Sequence, residues 1–325
     1  MVRTGSDWTA AEMPEMDGQT VIVTGANSGL GFEATEAFAR RGAHVVMACR
    51  SEERGTDAKR AIRGGAGATE SHRGSLEVAT LDLADLDSVR AFADEFRETH
   101  DDLHVLCNNA GVMAIPRRET EDGFEMQFGV NHLGHFALTG LLVDRLRETS
   151  GETRVVTQSS GVHERGEVDF EDLQSQRSYD RWDAYAQSKL ANVLFAYELQ
   201  RRLDAADATD VTSVACHPGF AATNLQRRGP EMRGSRLRLW LMEAMNAVLA
   251  QSAEAGALPM LYAATASDLS GGEYVGPGGL LNMRGPPAVQ RSSDASYDRD
   301  AAERLWSVSE ELTGVTVDLE PRVAP

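Results

Sequence analysis

From Thr20 onward, short apolar runs rich in β-branched residues alternate with longer stretches whose apolar positions recur every three to four residues. Residues 21–24, 44–48, 76–81, 105–108, 154–159 and 211–217 read as strands, with 32–41, 87–100 and 125–147 as helices between them. The strands are apolar throughout rather than alternating, as expected where helices cover both faces of a sheet. Strands and helices in this rhythm build parallel βαβ units, so the expected fold class is α/β with a doubly wound parallel sheet. No repeat and no Pro/Ser-rich linker divides the chain, and the glycines within 64–67 and 276–279 read as surface turns. One domain is expected over residues 17–285. An N-terminal extension, 1–16, precedes it, and a C-terminal extension, 286–325, with a helical signal around 301–312, packs on it. A further amphipathic helix at 237–249 follows an arginine-rich loop at 227–238 and reads as core or as a lid over a substrate.

A chain of 325 residues buries a substantial core without staples. Cys49, Cys107 and Cys216 form no C-x-x-C pair, which argues against zinc, redox and disulfide roles and leaves them as small buried strand residues. The net charge of −18 disfavours nucleic acid and anionic membranes as partners. Lysine occurs only at Lys59 and Lys189 among 32 basic residues, against 50 acidic ones, a composition suited to concentrated salt that screens repulsion. The polar N-terminus has no targeting segment and no apolar stretch is long enough to span a bilayer, so the expectation is a cytoplasmic protein of a salt-adapted organism.

Directly after the first strand stands Thr24-Gly25-Ala26-Asn27-Ser28-Gly29-Leu30-Gly31, opening a helix. Glycines there permit a tight turn and close backbone approach, so that a helix N-terminus faces a pyrophosphate. Further along stand Asp82, Asn108-Asn109-Ala110-Gly111, Asn131, Ser159-Ser160, Tyr185-Ala186-Gln187-Ser188-Lys189 and Pro218-Gly219, each at the carboxyl end of a strand or on a flanking helix. In the T-G-x-x-x-G-x-G spacing and these motifs the sequence resembles the short-chain dehydrogenase/reductase family. Residues 161–203, His217-Pro218-Gly219 and Ser252-Ala253-Glu254-Ala255-Gly256-Ala257 resemble its retinol-dehydrogenase-like branch. The resemblance covers about residues 18–279 and implies a Rossmann fold and hydride transfer between a nicotinamide and a carbonyl or alcohol carbon. Members of that branch with a membrane anchor differ at the N-terminus, which shifts the expected substrate away from lipid-embedded retinoids.

Tyr185 and Lys189, four apart on a helix, share one face, and a nearby ammonium favours the phenolate, making the phenol an acid–base group near neutral pH. Ser160, with Ser159 as the competing assignment, is expected to hold the substrate oxygen. The resemblance gives Asn131 a water that links Lys189 to solvent. For the cofactor it implicates Gly25, Asn27, Ser28, Gly29, Leu30 and Gly31, then Asp82 and Leu83 beside adenine. Asn109 is expected on the adenosine side, with Ala110, Gly111, Tyr185 and Lys189 also in the cofactor site, and Pro218, Gly219, Ala221 and Thr223 around the nicotinamide amide. At the end of the second strand stands Arg50 where an acid would select NAD, so NADP(H) is the expected cofactor, with Arg54 as helper.

His132 and His135 lack a third ligand at a recognisable spacing, so no metal is assigned, and His163 reads as a bystander. The substrate pocket is expected from residues 162–182 and 221–249, partly apolar and rimmed by arginines. The expected partner is a small carbonyl or alcohol, with homo-oligomer formation left open. Two alternatives are weaker. A redox-sensing regulator on this fold need not keep Asn131, Ser160, Tyr185 and Lys189, and a sugar-nucleotide epimerase needs a larger C-terminal domain.

Overall fold

The computed structural model describes residues 8–64, 73–208, 210–219, 252–279 and 282–319. Ala221, Thr223, the arginine-rich loop and the 237–249 helix lie outside the described residues. The strands are β1 (Thr20–Thr24), β2 (His44–Cys49), β3 (Ser75–Thr80), β4 (Val105–Asn108), β5 (Thr153–Gln158), β6 (Val211–Cys216), β7 (Tyr274–Pro277) and β8 (Pro287–Gln290). They form one sheet in the order β3-β2-β1-β4-β5-β6-β7-β8, parallel except for β8, which pairs antiparallel with β7. The helices are α1 (Gly29–Arg40), α2 (Glu52–Gly64), α3 (Leu86–Thr99), α4 (Gly134–Glu148), α5 (Arg181–Ala205), α6 (Ala253–Thr265) and α7 (Arg299–Thr313).

The unbroken apolar strands follow from two cores on opposite faces. Val21, Val23, Val45, Met47, Val105 and Cys107 point to one core with Phe38 of α1 and Met260 of α6. Ile22, Val46, Ala48 and Leu106 point to the other with Phe96 of α3, Phe136 of α4 and Phe195 of α5. Each strand thus alternates between two apolar destinations, and the sheet is doubly wound as expected. The strand order reverses between β1 and β4, which opens a crevice at their carboxyl ends.

The three cysteines are free and buried on strands. Gly276 is not a surface turn: it is buried within β7, where a Cβ would collide with the His217 ring, so glycine is required for close packing. The sheet also extends past residue 285, because β8 lies at 287–290, and α7 docks Trp306 into the second core. At the other end, Met13 and Met16 are buried, and Trp8 packs edge-on against Tyr262 with ring centroids 5.3 Å apart. No helix among the described residues is long and apolar enough to cross a membrane.

Candidate active site

The glycine turn between β1 and α1 has the geometry its sequence demands. Gly25 and Gly29 adopt φ of +68° and +57°, conformations that L side chains rarely take. Gly31 must also be glycine, since a Cβ would come within 2.5 Å of the Gly25 carbonyl oxygen and 2.6 Å of Asn109 Nδ2. The turn delivers the amino end of α1, with its free N–H groups, into a cleft at the switch point. Gly25, Asn27, Ser28, Gly29, Leu30, Gly31, Arg50, Asp82, Leu83, Asn109, Ala110 and Gly111 all line it. Thr24, Ala48, Ser51, Leu81, Val112, Met126 and Val130 line it too and were not anticipated, although Arg54 was. Most of the unanticipated ones are apolar or small, so their types carry no signal of ligand contact. The turn, helix terminus and flanking loops fit a dinucleotide, with the exposed Arg50 and Arg54 at the β2 end of the cleft.

Thr24 ties the cleft to the helix carrying Asn131. Asn109 and Ala110 donate backbone N–H groups to Thr24 Oγ1, both at 2.9 Å, and Asn109 Nδ2 donates to the Thr24 carbonyl at 2.7 Å. His135 Nδ1 donates to the Asn131 carbonyl at 3.1 Å, so its Nε2, 2.9 Å from Thr24 Oγ1, accepts from that hydroxyl. Burial holds the His135 imidazole down at about 4 and His132 at about 3, so both are neutral. His132 reaches Ser309 Oγ of α7 at 2.9 Å, and these two histidines are packed, not solvated.

Asn131 lies in a π turn, Gly129–Leu133, that leads into α4. A π turn widens the backbone locally and is frequent at functional sites. The Asn131 side chain accepts from Val112 N at 2.8 Å and donates to the Val112 carbonyl at 3.0 Å and to Ser188 Oγ at 2.9 Å. It therefore clamps the loop after β4 to α5. Gly111 fits beneath it only without a side chain, because a Cβ would lie 2.9 Å from Asn131 Oδ1 and 3.6 Å from Lys189 Nζ.

Tyr185 and Lys189 are buried on one face of α5, with Lys189 Nζ 5.9 Å from the Tyr185 ring centroid and donating to the Gln158 carbonyl at 3.1 Å. Burial pushes the Tyr185 phenol up to about 12, against a lowering hydrogen bond from Ser160. This corrects the expectation of a phenol lowered by the ammonium: desolvation dominates in the closed interior. Desolvation likewise brings Lys189 down to about 8. The two serines part company. Ser159 is buried and donates to the Lys189 carbonyl at 2.7 Å, whereas Ser160 is partly exposed and lies beside Tyr185.

Around this group, His163 is fully used: its Nε2 accepts from Ser293 N at 3.1 Å and its Nδ1 lies 2.7 Å from the Ser160 carbonyl. Both ring nitrogens are thus spent on internal contacts. Trp182, at the end of the 162–182 segment and 36% exposed, meets Tyr185 edge-on with ring centroids 6.2 Å apart. Gly219 takes φ +64° and donates its N–H to His217 Nδ1 at 3.2 Å, shaping the Pro218-Gly219 turn after β6.

Residues 19–234 match the short chain dehydrogenase family. Mouse retinol dehydrogenase 14 is 41% identical over 308 residues, covering 92% of this chain and 87% of that protein. Human retinol dehydrogenase 13 is 42% identical over 301 residues, covering 92% and 85%. Among solved structures, an uncharacterized protein from Mycobacterium paratuberculosis superposes with a TM-score of 0.78 at 42% identity, covering 96% of this chain and 100% of that one. A protein from Beutenbergia cavernae described as an NAD(P)-dependent gluconate 5-dehydrogenase, with NADP bound at low occupancy, gives a TM-score of 0.60 at 26% identity over 80% and 95%. Matches of this length and identity show that the chain belongs to the short-chain dehydrogenase/reductase family, in its retinol-dehydrogenase-like branch, and is an oxidoreductase acting on alcohol or carbonyl carbon with a nicotinamide nucleotide.

Proposed function

We propose that the chain is an NADP(H)-dependent carbonyl reductase or alcohol dehydrogenase for a partly apolar small molecule, with Tyr185 as the proton donor and acceptor. The observation that carries this reading is the Tyr185 phenol beside the Ser160 hydroxyl, with Lys189 on the same helix face. The cofactor, when bound, supplies or accepts the hydride. Ser160 donates to the substrate oxygen and holds it against Tyr185, while Ser159 anchors α5 through the Lys189 carbonyl. Tyr185 gives its proton to the developing alkoxide in reduction and takes it back in oxidation. Lys189 keeps a positive charge near the phenol, and Asn131 fixes the loop and helix on which the group depends. Trp182 offers the apolar surface at the entrance, consistent with an alcohol or aldehyde of the kind the retinol dehydrogenase relatives are named for.

A panel of aldehydes, ketones and secondary alcohols, with retinal among them, gives the substrate for the tests. Tyr185→Phe loses turnover by about 10²-fold or more, because only the transferable proton is removed, and keeps NADPH binding as read by fluorescence. A variant that retains more than about a tenth of the rate overturns the assignment.

The preference for NADP(H) rests on Arg50 and Arg54 lining the β2 end of the cleft, with no carboxylate at the end of β2 to accept both ribose hydroxyls. Arg50→Ala lowers kcat/KM for NADPH by roughly tenfold to a hundredfold and barely changes that for NADH. Equal use of both cofactors by the wild type, or an unchanged ratio in the variant, removes the proposal.

A further inference from the structure

Three side chains converge at the amino end of the sheet, opposite the end where the cleft opens. His44 begins β2, Glu77 lies within β3, and His100 follows the last residue of α3. The β2–β3 register pairs His44 with Ser75 and Val46 with Glu77, so His44 and Glu77 share one sheet face. That face is the one α3 covers, and Phe96 stacks on the His100 ring at 4.5 Å and 5°, aiming it at the pair. Their ligand atoms form a nearly equilateral triangle. His44 Nε2 and His100 Nε2 each lie 3.3 Å from Glu77 Oε2, and 3.2 Å from one another.

The triangle has the size of one face of a zinc coordination tetrahedron. Zinc–nitrogen and zinc–oxygen bonds of about 2.0–2.2 Å place tetrahedral ligand atoms about 3.3–3.6 Å apart. The outer contacts hold both rings through their far nitrogens. Thr99 Oγ1 gives its proton to the Glu95 carbonyl at 2.7 Å, so toward His100 Nδ1, at 2.8 Å, it accepts. His100 therefore carries a proton on Nδ1 and turns its Nε2 toward the Glu77 carboxylate. His44 Nδ1 has a matching hydroxyl partner, Ser75 Oγ, at 2.5 Å. Imidazoles held through the far nitrogen are the usual outer support of a metal site. Side-chain exposures of 29% for His44, 44% for Glu77 and 13% for His100 leave a path for an ion from solvent. The charge of Lys59 acts on His44 and opposes an arriving cation.

We propose that His44, Glu77 and His100 form a binding site for a divalent transition metal of the Zn2+ type, with one coordination position open to solvent, clipping the outer strands to the end of α3. No spacing motif links the three residues, which is why the sequence alone, where only His132 and His135 drew notice, assigned no metal ligand. The site is independent of the proposed redox chemistry.

The test uses the full chain, stripped with EDTA and then freed of it. Titration calorimetry with ZnCl2 is expected to find one strong site per chain, with the thermal midpoint rising as the site fills. Glu77→Gln and His100→Asn each weaken binding at least tenfold, and Lys59→Ala tightens it, while NADPH binding stays unchanged in all three. CoCl2 added to the wild-type chain gives the intense visible bands of four- or five-coordinate Co2+, a readout that stands even where a variant fails to fold. Absence of a one-to-one site, retention of binding in the His44→Ala/His100→Ala double variant, or only the weak spectrum of octahedral Co2+ overturns the proposal.

Discussion

Burial acts on Tyr185 and Lys189 in opposite directions, raising the phenol to about 12 and lowering the ammonium to about 8. The site's histidines 132, 135, 163 and 217 are all pushed below their ordinary value. Lys189 is thus the member of this set that titrates in mildly alkaline solution. If its charge supports proton transfer, kcat/KM for carbonyl reduction falls as pH rises through about 8. Stability moves the other way. Between about 8 and the ordinary lysine value of 10.5 the unfolded lysine binds more protons than the folded one, so the cost of burying it fades as pH rises. The expected result is a declining rate without a parallel loss of thermal midpoint, absent in Lys189→Met. A profile flat across that pH removes Lys189's charge from the mechanism. The residues of this site were legible because their types and order are distinctive. What was not legible was the direction of the Tyr185 shift, which depends on enclosure, and the Thr24–His135 bridge, which joins residues far apart in sequence.

At the scale of elements, each β-branched run became a strand within a residue or so of its expected bounds, because both faces of the sheet meet apolar helices. The signal failed at the C-terminal edge. β8 has four residues and begins with Pro287, so neither length nor periodicity marks it, and its ladder closes an edge where proline is tolerated. The helix beyond it, α7, is amphipathic and was expected, but its role in the core was not. Trp306 lies edge-on to Phe136 at 5.1 Å and stacked on Phe195 at 5.8 Å, beneath the Arg202 guanidinium at 4.4 Å. It joins α4 and α5 from a segment that sequence alone set outside the domain. Trp306→Ala is expected to cost about 3–5 kcal/mol in denaturant unfolding, as for other large-to-small core changes. A loss under about 1 kcal/mol, within the range of an ordinary surface substitution, would show α7 to be loosely attached.

For the whole molecule the dominant electrostatic fact is surplus: 50 acidic residues against 32 basic ones, a net charge of −18. Many of the arginines are engaged locally, as in the Arg60–Asp57, Arg90–Asp87 and Arg291–Asp294 pairs, each spanning a single turn. Exposed pairs of this kind contribute only about 0.2–1 kcal/mol each, and salt weakens them. The unpaired carboxylates repel one another over longer distances, and salt weakens that too. Which effect wins follows from range. The screening length shrinks from about 30 Å at 0.01 M to about 3 Å at 1 M, which removes repulsion between distant charges and leaves contacts near 3 Å less affected. We therefore propose a salt-rich setting for this protein, and expect its thermal midpoint to climb steadily as KCl rises from tens of millimolar to molar. Sorbitol at matched osmolality, uncharged and unable to screen, serves as the control and should produce a smaller rise. A midpoint that stays level or falls along the KCl series would mean that the local pairs outweigh the surplus, and the acidic surface would then carry no adaptation to salt.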